Sequence, residues 1–213
     1  MNSETGAFTQ VYNNLFKYFT YREVNPISKP LTVKELNEIV VNNTYVDIIT
    51  APIRERDTIL LYRLLTSKAT QEHRKKDKLH AAVRDIAKNP ELKGKTYGIV
   101  FIVWNNDKRT KDILSPFKRL QENAKNSSSN LPEITVYSYE RFIINLFECI
   151  LVPKQTLATQ DEIRRLRIDP KTMRKIRLRD PACIWIGARR KDVIRVDRPS
   201  ETAGGSIAYL ECI

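Results

Sequence analysis

The segment from Thr96 to Trp104, TYGIVFIVW, constrains the fold of this chain more than any other stretch of the sequence. It is an unbroken apolar run rich in β-branched and aromatic side chains, a pattern typical of a central strand covered on both faces. The run is far shorter than the roughly 20 apolar residues that a membrane-spanning helix needs. We therefore expect a buried strand in a layered α/β domain and no contact with a membrane.

Helical and strand patterns alternate on both sides of this segment, which favours an α/β architecture. Helices are predicted over Phe8–Phe19, Leu31–Val41, Gln71–Lys88, Thr110–Ala124 and Tyr139–Leu146, and further strands over Thr58–Leu65 and Glu133–Tyr137.

The pattern changes after Pro153. A short helix, Gln160–Leu166, is followed by three short strands, which are predicted over Ala182–Ile186, Val193–Asp197 and Ser206–Cys212. We therefore predict two domains, an α/β domain over residues 1–148 and a small α+β domain over residues 149–213.

The charge of the chain indicates an anionic partner. The net charge is +12, and residues 149–213 carry 14 Lys and Arg against 8 Asp and Glu, which is net +6 in a third of the chain. Nucleic acid is the commonest partner of such a basic protein, whereas a surface that is only solvated remains the alternative.

No active site is evident. The sequence has no phosphate-binding glycine loop, and its three cysteines and two histidines lack metal-site spacing. The pair Glu91 and Lys93 has the spacing of a metal-dependent nuclease, but it lies between Pro90 and Gly94 and so in a turn. We expect no metal, no cofactor and no catalytic activity of the chain by itself.

A candidate phosphate site follows the central strand. Backbone N–H groups at the start of the next helix, together with nearby cations, would bind a nucleic-acid backbone without regard to sequence. An ordinary solvated loop is the alternative. The candidate DNA contacts are Asn105, Asn106, Lys108, Arg109, Thr110 and Lys111.

The tail contains a polar turn, Arg198–Gly204, with the sequence RPSETAG. Pro199 fixes its own φ and restricts Arg198 to extended conformations, while Gly204 permits a positive φ. Such a turn would present its polar groups in fixed directions to a partner. Alternatively, Ser200 and Thr202 satisfy local backbone groups only.

This tail resembles the fifth-largest subunit shared by the eukaryotic nuclear RNA polymerases, whose last domain matches a small subunit of the archaeal polymerase. The resemblance lies in Leu151-Val152-Pro153-Lys154, Asp180-Pro181, Ile186-Gly187, Val193-Ile194-Arg195-Val196 and the RPSETAG turn. It implies a non-catalytic polymerase subunit with two parts. The C-terminal assembly domain would dock on the largest subunit, and the N-terminal jaw lobe, with a nuclease-like three-layer fold, would lie beside downstream DNA.

The resemblance also implies an interface with the largest subunit and other polymerase subunits, and no homo-oligomer. The candidate interface residues are Pro153, Lys154, Asp180, Pro181, Gly187, Arg198, Pro199, Ser200, Glu201, Thr202 and Gly204.

The sequence departs from the family where Gln155 replaces a histidine, a drift similar to that of subunits encoded by large cytoplasmic DNA viruses. The implied location is the virion and host cytoplasm for a viral protein, and the nucleus for a cellular one. A stand-alone basic nucleic-acid-binding factor remains the alternative, and co-purification with polymerase subunits separates the two hypotheses.

Overall fold

A computed structural model describes residues 3–51, 58–104, 115–117, 119–120, 122, 132–167, 169, 172–200 and 204–213. The chain divides into two compact units, Met1–Ile144 and Asn145–Ile213. The domain boundary predicted after residue 148 falls at the end of a 3-10 helix, Leu146–Glu148.

The N-terminal unit contains a four-stranded sheet of mixed direction. Its strands are β1 Tyr45–Thr50, β2 Thr58–Leu65, β3 Thr96–Val103 and β4 Glu133–Ser138, in the order β1-β2-β3-β4. The central strand β3 pairs in parallel with β2 and β4, and β1 joins β2 antiparallel. The sequence patterns did not predict β1 because Asp47 interrupts its apolar run; in the fold, Asp47 faces Arg63 across the β1–β2 pair.

Four helices of this unit are described over their whole length: α1 Ser3–Tyr21, α2 Val33–Val41, α3 Ser67–His73 and α4 Lys76–Ala87. The single long helix predicted over Gln71–Lys88 is wrong. Thr66 caps α3, the chain turns at Arg74 and Lys75, and α4 then begins, so that both helices pack on the same apolar cluster.

Two further helix predictions have different outcomes. The predicted helix Tyr139–Leu146 is replaced by two short 3-10 helices, Tyr139–Arg141 and Leu146–Glu148. Of the predicted helix Thr110–Ala124, residues 115–117, 119–120 and 122 are helical, and the rest lies outside the described residues.

Helices cover both faces of the N-terminal sheet. On one face, Leu61 and Phe101 pack in a buried cluster with residues of α3 and α4, and the Phe101 and Phe117 ring centroids lie 5.4 Å apart. On the other face, Tyr62 meets Phe19 of α1 at a centroid distance of 4.9 Å. This three-layer arrangement explains the continuous apolar pattern of β3, because both of its faces are buried.

The C-terminal unit has a second four-stranded sheet and two short helices. Its strands are β5 Lys154–Leu157, β6 Arg174–Ile176, β7 Val193–Ser200 and β8 Gly204–Cys212, in the order β5-β7-β8-β6. The helices are α5 Gln160–Arg165 and α6 Pro181–Ile186. The sequence patterns missed β5 and β6 because edge strands of three or four residues carry little periodic signal.

The prediction of a strand over Ala182–Ile186 is wrong, because this segment is helix α6. The Asp180 side chain caps the helix by accepting a hydrogen bond from the Ala182 N–H at 2.9 Å, and Pro181 occupies the first turn. Gly187 ends the helix in the left-handed conformation, with φ of 67°. All five residues of the segment are buried, and Trp185 is fully buried.

The three cysteines are free thiols, with Cys183 and Cys212 buried and Cys149 half-buried. Burial raises the pKa of Cys183 to about 12. The described residues include no group of three or more His, Cys, Asp or Glu that could hold a metal ion. Within the described part of the chain, no helix is long and apolar enough to span a bilayer.

Candidate subunit interface

The β7–β8 hairpin extends beyond the two strands that flank it. β5 pairs with β7 only over Ile194–Asp197, and β6 pairs with β8 only over Leu210–Cys212. The last three pairs of the hairpin, Arg198 with Ser206, Pro199 with Gly205 and Ser200 with Gly204, therefore lie past both neighbours. This end of the hairpin is the hairpin tip, and it is exposed at Arg198, Pro199 and Gly204.

The backbone of the hairpin tip suits its sequence. Pro199 has no N–H to donate, and it lies where no described strand other than β8 pairs with β7. Gly204 begins β8 with φ of 70°, a left-handed conformation that L side chains rarely adopt. Glu201 and Thr202, the other candidates in this turn, lie outside the described residues, as does the side chain of Ser200.

Below the tip, a polar network fixes the outer face of the sheet to α5. The Arg195 guanidinium donates to Asp197 at 2.8 Å and to Glu162 at 3.1 Å, and the Tyr209 hydroxyl donates to the same Glu162 oxygen at 2.7 Å. The Tyr209 hydrogen bond is the main reason that the pKa of Glu162 lies below its usual value. The network therefore holds both strands of the hairpin in one register against α5.

Three of the candidate interface residues have a role inside the fold. Asp180, Pro181 and Gly187 cap the two ends of α6. Because α6 contributes Cys183 and Ile186 to the core of the unit, its two ends must be held in place. The capping roles therefore explain the presence of the three residues, and no contact with a partner protein is needed to explain it.

Lys154 begins β5, and Pro153 directly precedes it. Pro153 is half-buried and Lys154 is exposed, in register with Asp197 of β7. The next residue, Gln155, has its side-chain oxygen buried without a hydrogen-bond donor among the described residues. The described interface candidates thus separate into a capping group around α6 and a second group at β5 and the hairpin tip, in which Lys154, Arg198, Pro199 and Gly204 are exposed.

Comparison with known proteins identifies this unit. Residues 144–210 match the family model for RNA polymerase Rpb5, C-terminal domain. The C-terminal unit, Asn145–Ile213, is therefore similar to that domain, and we call it the Rpb5-type unit. The resemblance predicted from the tail is confirmed, and the matched range coincides with the compact unit Asn145–Ile213.

Relatives of the Rpb5-type unit occur in viruses and in cells. A DNA-directed RNA polymerase RPB5 homolog of African swine fever virus is 36% identical over 74 residues, which cover 33% of this chain and 36% of the viral protein. The subunit rpabc1 of DNA-directed RNA polymerases I, II and III from Dictyostelium discoideum is 29% identical over 104 residues, covering 47% and 52%. The chain thus matches about a third to a half of the length of these relatives.

The candidate DNA contacts precede the Rpb5-type unit. Asn105, Asn106, Lys108, Arg109, Thr110 and Lys111 all lie outside the described residues. The strand that leads to them is well fixed, because the backbone N–H of Trp104 donates to the buried Thr70 hydroxyl of α3 at 3.1 Å.

The sheet of the N-terminal unit contains a buried arginine that the sequence patterns did not predict. Arg63 on β2 is 4% exposed and donates two hydrogen bonds to Asp47 on β1, at 2.7 and 2.6 Å. The Tyr45 ring stacks 3.9 Å from the same guanidinium. The Asp47 carboxylate is therefore paired with an arginine inside the fold. The spacing of the two residues, 16 positions apart, gives no signal in the sequence.

Proposed function

We propose that this chain is a non-catalytic subunit of a multisubunit DNA-directed RNA polymerase. The C-terminal unit docks on the largest subunit through the hairpin tip and β5, and the N-terminal unit is a jaw lobe beside downstream DNA. The setting is a virion and the host cytoplasm for a viral chain, or the nucleus for a cellular one. The observation that carries the proposal is the match of residues 144–210 to the Rpb5 C-terminal domain.

The geometry of the unit supports docking through the hairpin tip. The tip is exposed, its two strands are hydrogen-bonded to each other, and the Arg195 network holds its base. A preorganised surface loses little conformational entropy when a partner binds. The backbone edges of the tip, which no described strand covers, are also free to pair with a segment of the partner.

The docking proposal is tested with the full chain bearing an affinity tag, expressed with the polymerase subunits of the same source. The wild type is expected to retain the largest subunit in a near one-to-one ratio. Arg198→Glu on the tip is expected to reduce that amount about tenfold, because reversing a charge at an interface is worth on the order of 1–2 kcal/mol.

Lys34→Glu is the matched control, because Lys34 is an exposed cation of the N-terminal unit and the change in charge is the same. Equal retention of the largest subunit by both variants would place the docking surface elsewhere. A wild type that retains no polymerase subunit but binds DNA would favour the stand-alone nucleic-acid-binding factor.

The jaw proposal is tested on the assembled polymerase. Replacing Lys108, Arg109 and Lys111 with Ala is expected to weaken the binding of downstream duplex without loss of assembly. The dependence of log K on log salt is expected to become shallower by up to about 0.9 for each phosphate contact that is lost. An unchanged salt dependence would mean that the three cations are only solvated.

A further inference from the structure

The C-terminal unit carries a group of exposed arginines with few partners among its described residues. We call this group the arginine surface. Among the described residues, only one member has an ion pair, Arg164 with Asp161 at 4.0 Å, and both of those side chains are at least 79% exposed. The remaining members have no ion pair or side-chain hydrogen bond among the described residues. The arginine surface consists of Arg164, Arg165, Arg167, Arg174, Arg177 and Arg179.

Five of the described carboxylates of the same unit are engaged within the fold. Glu162 and Asp197 bind Arg195, and Glu211 binds Lys175. Asp180 caps α6, and Asp192 accepts a hydrogen bond from the Arg189 N–H at 2.7 Å. Much of the positive charge of the unit is therefore carried by side chains with few partners among the described residues, which is the arrangement expected where a partner supplies the anions.

The arginine surface comes from one stretch of the sequence, and part of that stretch forms the edge of the sheet. Arg164 and Arg165 end α5, Arg174 begins the edge strand β6, and Arg177 and Arg179 precede α6. β6 is the last strand in the order β5-β7-β8-β6, so no described strand covers its outer side. The favourable position of cations at a helix C-terminus accounts for Arg164 and Arg165. It does not account for the arginines around β6.

Exposed apolar side chains stand among these arginines. Leu166 is 48% exposed and Leu178 is 40% exposed, and each is flanked by arginines in the sequence. A phosphate backbone would pair with the guanidinium groups but leave both leucines in water. No aromatic side chain lies between residues 160 and 180 on which a nucleic-acid base could stack. Arginine together with apolar residues is instead the composition enriched at protein interfaces.

We infer that the arginine surface binds an acidic segment of a partner polymerase subunit, in which carboxylates alternate with apolar side chains. The inference rests on the proposed function, in that the partner is a subunit of the polymerase. It adds a second contact, at the β6 edge of the sheet, to the docking contact of the hairpin tip. Each arginine can bind a carboxylate through two parallel hydrogen bonds, and the leucines can cover the apolar positions of the segment.

The test uses the full chain with Arg174, Arg177 and Arg179 all replaced by Glu. The matched control replaces Lys75, Lys78 and Arg84, three exposed cations of the N-terminal unit, by Glu and so changes the net charge by the same amount. A third variant, with Arg174, Arg177 and Arg179 replaced by Gln, removes the charges without reversing them and covers the case in which the Glu variant does not fold. Melting curves establish that each variant is folded.

Two probes are titrated at several salt concentrations: a soluble peptide of alternating glutamate and leucine, and a mixed-sequence duplex DNA with the same number of charges. The surface variants are expected to bind the peptide about tenfold or more weakly than the wild type and the control do, since three exposed ion pairs are lost. The tagged surface variants are also expected to retain less of the polymerase than the control.

The outcomes separate this inference from the proposed function. If the surface variants bind the peptide with wild-type affinity and retain the polymerase normally, the inference is overturned and the proposed function stands. A loss of affinity for the duplex but not for the peptide also overturns it, in favour of a nucleic-acid site. If the wild type retains no polymerase subunit, the proposed function fails, and with it the assignment of the partner.

Discussion

A buried arginine of the N-terminal unit contrasts with the exposed arginines of the C-terminal unit. In the N-terminal unit, Arg63 is buried, and its charge is matched by Asp47 and covered by the Tyr45 ring. In the C-terminal unit, Arg195 is 34% exposed and binds two acids at the sheet surface, while the structure describes one ion pair for the whole arginine surface, Arg164 with Asp161. A buried charge must be matched inside the fold, as Arg63 is, whereas the exposed charges of the arginine surface need not be.

The largest effect is expected from the core of the smaller unit. Trp185→Ala removes a fully buried indole that packs edge-on against Phe147 at a centroid distance of 6.2 Å. The cavity is expected to cost about 3–5 kcal/mol, which is most of the stability of a domain of this size. Hydrogen exchange followed by mass spectrometry should show faster exchange throughout residues 145–213.

Phe101→Ala is the matched change in the N-terminal unit, where Phe101 is also fully buried. Its cavity should cost a similar amount, but the larger core around it should keep that unit folded at room temperature. If Phe101→Ala unfolds the N-terminal unit and Trp185→Ala leaves the C-terminal unit folded, the expectation that the N-terminal unit is the more stable of the two is wrong.

The next effect concerns the buried ion pair. Asp47→Ala leaves the Arg63 guanidinium, which is 4% exposed, without its anion. Breaking a buried pair in this way costs about 3–5 kcal/mol at most, and somewhat less here because Asp47 itself is partly exposed. Urea denaturation should show a clear fall in the free energy of unfolding.

The double variant Asp47→Ala with Arg63→Met provides the control, since removing both charges should recover much of the loss. Asp197→Ala in the C-terminal unit should cost no more than about 1 kcal/mol, because the Arg195–Asp197 pair is solvated. Equal costs for Asp47→Ala and Asp197→Ala would remove the contrast between buried and exposed pairs.

A smaller effect is expected from acidification of the N-terminal unit. Burial lowers the pKa of His73, so that protonation favours the unfolded state, in which the pKa is near its usual value of about 6.5. The unit should therefore lose stability as the pH falls from about 6.5 towards the lower pKa of the folded state. His73→Gln should flatten that part of the profile, as measured by urea denaturation at several pH values.

The smallest effect is expected from Glu162 in the C-terminal unit. The pKa of Glu162 is lower in the folded state than in the unfolded state, chiefly because of the Tyr209 hydrogen bond. The ionised carboxylate therefore stabilises the fold at pH values above its unfolded pKa, and this stabilisation is lost as the pH falls through its folded pKa. Tyr209→Phe should raise the pKa of Glu162, as measured by NMR titration of its side-chain carboxyl carbon. An unchanged titration would mean that the hydroxyl does not stabilise the carboxylate.

Local signals account for the elements that the sequence predicted well. The strand Thr58–Leu65 agrees with the structure in both bounds, and Thr96–Trp104 extends one residue beyond β3. The wrong strand at Ala182–Ile186 had a local signal too, since Asp180-Pro181 before the segment and Gly187 after it are helix-capping residues. That error came from giving apolar content more weight than capping residues.

The amino-acid sequence by itself determined the central strand, the basic tail and the kinship with the Rpb5 C-terminal domain, because these depend on residues that are close together in the chain. Only the tertiary structure decided that Asp47 forms an ion pair with Arg63 and that the hairpin tip extends past β5 and β6. It also decided which of the described arginines have no ion pair within the fold. Pairing across strands depends on register and on burial. Both are set by the packing of distant segments and leave no periodic mark in the sequence.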